Sequence, residues 1–111
     1  MTTKEITIQG KTYPVIFTMK TIINFEAITE KTFFGDKLDK LTDRIALIIA
    51  AVLACDKKAK LEFEDLADLD WDGIQELHRA FAVIMDMSCD FFKIPHIMEK
   101  AQKEEGDEKN V

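Results

Sequence analysis

The sequence predicts an α+β fold in which an N-terminal β-hairpin packs on a bundle of four to five helices. Three observations lead to this prediction. The first residues alternate between polar and apolar, which is typical of a strand with one buried face. The ten residues from Ile45 to Ala54 are apolar on every side, as in a helix surrounded by protein. Between Trp71 and Phe92, an apolar and a polar stripe both follow helical spacing.

Size and composition favour one folded domain. The chain has 111 residues, of which 47% are hydrophobic, and this suffices for a single core. We expect residues 1–100 to form the domain and residues 101–111 to be a charged, disordered tail. The net charge of −6 argues against binding to nucleic acid or to an anionic membrane. Cys55 and Cys89 lie in apolar helical stretches, and we interpret them as buried free thiols.

The hairpin is predicted from two alternating segments. Lys4 to Gln9 forms the first strand, with its isoleucines on the buried face, and Thr12 to Phe17 forms the returning strand. Gly10-Lys11 supplies a two-residue turn, because Gly accepts the positive φ of a hairpin loop. Pro14 lacks a backbone N–H, so the second strand should be an edge strand or be bulged there.

The first two helices follow from capping residues and periodicity. Thr18 is a suitable N-cap for a helix from Met19 to about Lys31. Asp36 to Leu41 is interpreted as a short helical turn. Thr42 is then expected to cap the central apolar helix, which ends near Cys55.

The second half of the chain is predicted to be helical with one acidic connection. Leu61 to Leu69 has the spacing of a brief helix, and Asp70 caps the long helix from Trp71 to Phe92. A final helix should restart near Pro95, since proline is favoured at a first helical position. Its apolar residues are Ile97, Met98 and Ala101.

No residues in the sequence form a convincing catalytic, cofactor or metal site. Asp68 to Gly73 opens like a calcium loop, but Arg79 stands where the bidentate glutamate should be. We therefore interpret these carboxylates as helix caps. His78, expected to be partly buried, and His96 lack the spacing of a zinc site. The sequence thus favours an interaction protein over an enzyme.

Apolar residues near segment ends are the candidate partner interface. Adjacent phenylalanines in a glycine-containing linker either fill the core or contact a partner. We expect a partner-binding surface that comprises Phe33, Phe34, Phe92, Ile94 and Met98.

The order of these pieces resembles the tail assembly chaperones of long-tailed phages and prophages. The resemblance covers about residues 4 to 100. It depends on the hairpin Gly10-Lys11-Thr12-Tyr13-Pro14-Val15-Ile16-Phe17 running directly into Thr18-Met19-Lys20. An apolar central helix, an acidic linker, a long amphipathic helix and a charged tail follow.

The resemblance implies a non-catalytic chaperone in the cytoplasm of the bacterial host. Such proteins bind the phage tape-measure protein, keep its apolar helices soluble and recruit tail-tube subunits. Weak self-association is expected as well, through Phe33-Phe34 or through the region from Phe91 to Met98. Many members are the short form of a frameshifted pair, and codons for Glu108 to Asn110 would suit such a slip.

An alternative function comes from the distribution of charge. The segment from Glu62 to Glu76 holds seven acidic residues and no Lys or Arg. A small antitoxin-like or inhibitory protein could use such a segment to mask a basic partner.

Overall fold

The computed structural model describes residues 2–94, which form one hairpin, three α-helices and a 3-10 turn. This confirms the predicted α+β class with an N-terminal hairpin. The described helices number three rather than four to five. The helix predicted near Pro95 and the tail at 101–111 lie outside the described residues. The elements are β1 (Lys4–Ile8), β2 (Lys11–Val15), α1 (Met19–Thr29), α2 (Leu41–Cys55), the 3-10 turn (Phe63–Leu66) and α3 (Trp71–Phe92).

The hairpin turn lies one residue earlier than the sequence suggested. Ile8 pairs with Lys11, so Gln9 and Gly10 are the two loop residues. Both have positive φ, 54° and 76°, as a type I′ hairpin loop requires. Gly10 reaches this conformation without a steric cost. The prediction of Gly10-Lys11 as the turn was therefore wrong. Both strands form, but β1 ends at Ile8 rather than Gln9, and β2 spans Lys11–Val15 rather than Thr12 to Phe17.

Pro14 lies in β2, an edge strand without a bulge. It pairs with Glu5. Hydrogen-bonded and non-hydrogen-bonded pairs alternate in an antiparallel ladder, and the pair that closes a two-residue loop is hydrogen-bonded. Counting from that pair places Pro14 in a non-hydrogen-bonded position, so its missing N–H costs no ladder bond.

Helix α2 lies at the centre of the core. Every residue from Ala46 to Val52 is at most 4% exposed. Helices α1 and α3 and strand β2 all pack against it, and α3 also covers β1. The prediction of a nearly solvent-free helix is confirmed for this stretch, while Ile45 and Leu53 are partly exposed. Within residues 2–94, no helix combines the length and apolar character needed to cross a membrane.

Two predicted features between α1 and α2 are wrong. The predicted helical turn at Asp36 to Leu41 is absent, and a turn forms earlier, where the Thr32 carbonyl accepts from the N–H groups of Gly35 and Asp36. The Asp36 carboxylate fixes it by accepting from the Thr32 N–H at 2.6 Å. Helix α2 then starts two residues before the expected position, with Lys40 rather than Thr42 as its N-cap.

The brief helix predicted over Leu61 to Leu69 is reduced to one 3-10 turn, Phe63–Leu66. The Asp65 carboxylate accepts from the Glu62 N–H at 2.9 Å, which closes the turn locally. Leu61, just before the turn, and Leu66, its last residue, are both buried. The two leucines thus anchor the connection between α2 and α3, and the acidic side chains face solvent.

Candidate functional site

Six phenylalanines gather where β2, α1, the following turn and α3 meet. Phe17 lies 5.9 Å from Phe33, 5.5 Å from Phe91 and 5.8 Å from Phe92, measured between ring centroids. Phe25 of α1 meets Phe33 edge-on at 5.7 Å. Offset and edge-to-face contacts at these distances are the favourable geometries for aromatic pairs. We call this cluster the aromatic end; it comprises Phe17, Phe25, Phe33, Phe34, Phe91 and Phe92.

The rings of the aromatic end range from fully buried to largely exposed to solvent. Phe25 is 0% exposed, whereas Phe34 is 69% and Phe91 38% exposed. Phe92, itself half-buried, contacts both exposed rings, at 5.5 Å from Phe34 and 5.0 Å from Phe91. The exposed rings therefore belong to one continuous apolar surface supported by the core. Such patches on a small protein mark interaction sites.

Local hydrogen bonds hold the turn that carries Phe33 and Phe34. Helix α1 ends with Glu30 in the left-handed region, at φ 60°, and the Glu30 N–H donates to the Glu26 carbonyl at 2.8 Å. The Glu26 carboxylate accepts from the Phe33 N–H at 2.8 Å. Together with the Asp36 bond to Thr32, these contacts fix the turn on both sides. Phe34 is thus exposed on an ordered backbone.

An ion pair attaches the same turn to α2. Lys31 Nζ lies 2.9 Å from Asp43 Oδ2, and Asp43 is only 4% exposed. The hydrogen bond that the Lys31 ammonium donates to the Asp43 carboxylate raises the pKa of Lys31 above its ordinary value of 10.5. The nearby charges of Asp43, Asp39 and Asp36 act in the same direction. A buried carboxylate without a partner lowers the stability of the fold. The pair with Asp43 therefore favours the conformation in which Lys31, and the turn that follows it, lie against α2. Burial of Asp43 was not predicted from the sequence pattern.

Helix α3 ends at the aromatic end in a Schellman turn. Lys93 adopts the left-handed conformation at φ 57°. Its N–H donates to the Asp90 carbonyl, and the Ile94 N–H donates to the Cys89 carbonyl at 3.0 Å. These bonds satisfy carbonyls that a helix end leaves without partners. Ile94, 52% exposed, follows two residues after Phe92.

The structure brings together three of the five predicted interface residues. Phe33, Phe34 and Phe92 are in mutual ring contact, and Ile94 is exposed close by in sequence. Met98 lies outside the described residues. Of the linker pair, Phe33 packs against the core, whereas Phe34 is exposed. Contact of Phe34 with a partner stays a prediction.

The sequence patterns did not indicate that Phe17 and Phe25 form the buried base of the cluster, and Phe91 was expected as part of the self-association region from Phe91 to Met98. A signal was present in the two doubled phenylalanines, Phe33-Phe34 and Phe91-Phe92. Each pair lies at the end of a helix or just beyond one. The two pairs can contact each other only if the segment ends that carry them are adjacent in the fold. Periodicity within one segment contains no information on that adjacency.

The remaining candidate groups have local structural contacts. The Asp70 carboxylate accepts from the Gly73 N–H at 2.8 Å and so caps α3. His78 is exposed rather than partly buried as predicted, because it lies on the outer side of α3 with Nδ1 3.5 Å from Arg44 Nη1. Cys89 is buried and Cys55 half-buried, both as free thiols. Across residues 2–94, no three His, Cys, Asp or Glu side chains are grouped to hold a metal ion.

A groove of about 250 Å³ lies beside the aromatic end. It is lined by Thr2, Phe17, Thr18, Met87, Asp90 and Phe91, so apolar and polar side chains contribute equally. Phe17 and Phe91 belong to the aromatic end, and the groove therefore adjoins the exposed rings. In comparisons with known proteins, the chain matches no family model, no curated protein and no solved structure.

Proposed function

We propose that this protein is a non-catalytic assembly chaperone whose aromatic end binds an apolar helix of a client protein. The observation that carries the proposal is the continuous surface formed by Phe34, Phe91 and Phe92, exposed on an ordered turn and on a capped helix end. Amphipathic helices commonly bind through apolar side chains laid into such grooves.

The client that best fits this proposal is the tape-measure protein of a long-tailed phage. This identification depends on the resemblance of the hairpin and of the order of elements to tail assembly chaperones. A tape-measure protein is a long helical chain, and its apolar face needs covering before the tail forms. Recruitment of tail-tube subunits and action in the cytoplasm of the bacterial host belong to the same proposal.

The energetic contribution of the exposed rings can be estimated. Burying a phenylalanine side chain contributes about 1.5–3 kcal/mol, and each 1.4 kcal/mol changes a binding constant about tenfold. Replacing Phe34 with Ser should therefore weaken client binding by roughly tenfold or more. Phe63, a phenylalanine of similar exposure to Phe91, at 40% against 38%, provides a matched control outside the aromatic end.

The test is co-expression with a tape-measure protein, the client that the proposal names, followed by affinity measurement on the purified complex. We expect Phe34→Ser and Phe91→Ser to weaken binding and Phe63→Ser to leave it unchanged. Equal binding by all three variants would overturn the proposal. Loss of binding only after Glu64→Gln, Asp68→Asn and Asp72→Asn would support masking of a basic partner instead.

A further inference from the structure

Helix α1 leaves one apolar face uncovered. Met19 is 55% and Ile23 59% exposed, and residues four apart lie on the same side of a helix. Ala27, another four residues on, is also exposed. The opposite side of α1 packs on the core through Ile22 and Phe25. The chain thus has a second apolar surface that shares no residue with the aromatic end.

This face is concave and carries positive charge. A groove of about 380 Å³ is lined by Lys20, Asn24, Leu53 and Lys57. A second groove of about 480 Å³ lies beside it, lined by Thr3, Ile16, Thr18, Met19, Lys20, Ala54 and Cys55. Lys20 lines both grooves. We call this surface the α1 face; it comprises Met19, Lys20, Ile23, Leu53 and Lys57.

The segment from Glu62 to Glu76 has the complementary character. Trp71 is 68% and Phe63 40% exposed, and the segment contains seven acidic and no basic residues. Within residues 2–94, the ion pairs Lys4–Asp86 and Lys31–Asp43 do not involve this segment. Asp65 and Asp70 cap local turns, and Glu76 accepts from the Gln9 N–H at 3.3 Å. Four further carboxylates face solvent: Glu62, Glu64, Asp68 and Asp72.

We propose that the α1 face of one copy binds the Glu62–Glu76 segment of a second copy, head to tail. Apolar residues would meet on both sides, and lysines would meet carboxylates. A lysine ammonium is also attracted to the face of an exposed indole such as that of Trp71. Within residues 2–94 both surfaces are exposed, so each is open to a second copy of the chain.

Charge selects this arrangement over a symmetric one. A two-fold contact of the α1 face with itself would bring Lys20 and Lys57 towards their own copies. A two-fold contact of the acidic segment would oppose carboxylates in the same way. A contact between the two unlike surfaces pairs opposite charges instead. Unless it closes reciprocally across a two-fold axis, such a contact continues into rings or open chains. Its affinity should fall with added salt, because exposed charges are screened.

Two variants test the proposal, each blocking one surface. Ile23→Asp places a carboxylate in the apolar centre of the α1 face, and Trp71→Ser removes the indole from the acidic segment. Both positions are exposed, so unfolding profiles should match the wild type. Should either variant unfold, Lys20→Ser with Lys57→Ser and Asp68→Asn with Asp72→Asn block the same surfaces by charge alone.

Sedimentation velocity over a concentration series gives the readout. We expect the wild type to grow beyond a dimer and each variant alone to stay at the monomer mass of 12.7 kDa. An equimolar mixture should form a 1:1 dimer and stop there, because only one intact pair of surfaces remains. The single tryptophan, present only in the Ile23→Asp partner of this mixture, should shift its emission to the blue.

Each other result overturns the proposal. A wild type that stays monomeric at every concentration excludes the contact. Self-association that persists in both variants places it elsewhere, for example at Phe33-Phe34. Self-association lost in Ile23→Asp but kept in Trp71→Ser indicates a symmetric contact of the α1 face. A mixture that stays monomeric shows that the two surfaces do not bind each other.

Discussion

Helix α2 and the aromatic end are built from equally apolar residues, yet the fold uses them differently. Between Ala46 and Val52, α2 is covered on all sides by α1, α3 and β2. At the aromatic end, a buried base, Phe17 and Phe25, supports rings that reach solvent. The difference arises from position. A central helix is surrounded by other elements, whereas a junction of helix ends is covered only on its inner side.

The largest effect is expected where this coverage is complete. Ile49→Asp would bury an unpaired carboxylate at a position that is 4% exposed, at a cost of several kcal/mol. Domains of this size are stable by only about 5–15 kcal/mol, so the variant should lose cooperative thermal unfolding in circular dichroism.

The control for that experiment makes the same chemical change on the uncovered side of α1. Ile23 is 59% exposed, so Ile23→Asp should unfold cooperatively near the wild-type temperature. A cooperative transition for Ile49→Asp as well would show that α2 is not the centre of the core.

The second prediction concerns the buried base of the aromatic end. Phe25 is fully buried and contacts Phe33, so Phe25→Ala should lower the free energy of unfolding by about 3–5 kcal/mol. Urea denaturation followed by far-ultraviolet circular dichroism measures this change. A loss below about 1 kcal/mol would mean that the cluster collapses to fill the space, a response that well-packed cores seldom show.

The sequence predicts the interior of this fold better than its junctions. Continuous apolar character in α2 and the two stripes of α3 follow from patterns within one segment. Both helices form, and α3 has the predicted bounds. The hairpin turn shifted by one residue because Gln9, which carries no turn signature, takes a positive φ beside Gly10. The start of α2 shifted because the buried Asp43, not Thr42, organises it. Both errors involve contacts that no single segment reveals.

The candidate site shows the same limit. Phe33, Phe34 and Phe92 were predicted individually, each from its place in a linker or at a helix end. Their meeting at one surface depends on the ion pair from Lys31 to Asp43 and on the hydrogen bond from Phe33 to Glu26. These contacts join residues 12 and 7 positions apart through an irregular turn, for which no periodic pattern exists.

The third prediction concerns the pH dependence of the stability that the Lys31–Asp43 ion pair contributes. The pKa of Lys31 is raised in the folded protein. The stability from its pair with Asp43 is therefore fully present below the ordinary lysine value and is lost as pH rises through the higher, folded pKa. Lys31→Met should lower the urea midpoint at neutral pH, and the difference from wild type should shrink in strongly alkaline buffer.

Lys37→Met provides the matched control, since Lys37 is an exposed lysine in the same connection. It should leave the neutral midpoint and the alkaline profile close to those of the wild type. A difference between Lys31→Met and wild type that stays constant through the alkaline range would show that packing of the lysine stem, rather than its charge, carries the effect.

The smallest effect on stability, and the most informative one, is expected at Phe34. Its ring is 69% exposed, so Phe34→Ser should change the free energy of unfolding by no more than about 0.5 kcal/mol, as for most surface substitutions. The same change should reduce binding of a hydrophobic dye and of the helical client, because the ring supplies much of the exposed apolar surface. Comparison of Phe34→Ser with Phe25→Ala distinguishes the contribution of the aromatic end to stability from its contribution to partner binding. If Phe34→Ser instead destabilises the protein as strongly as Phe25→Ala, the ring belongs to the core, and the surface assigned to the client loses its most exposed member.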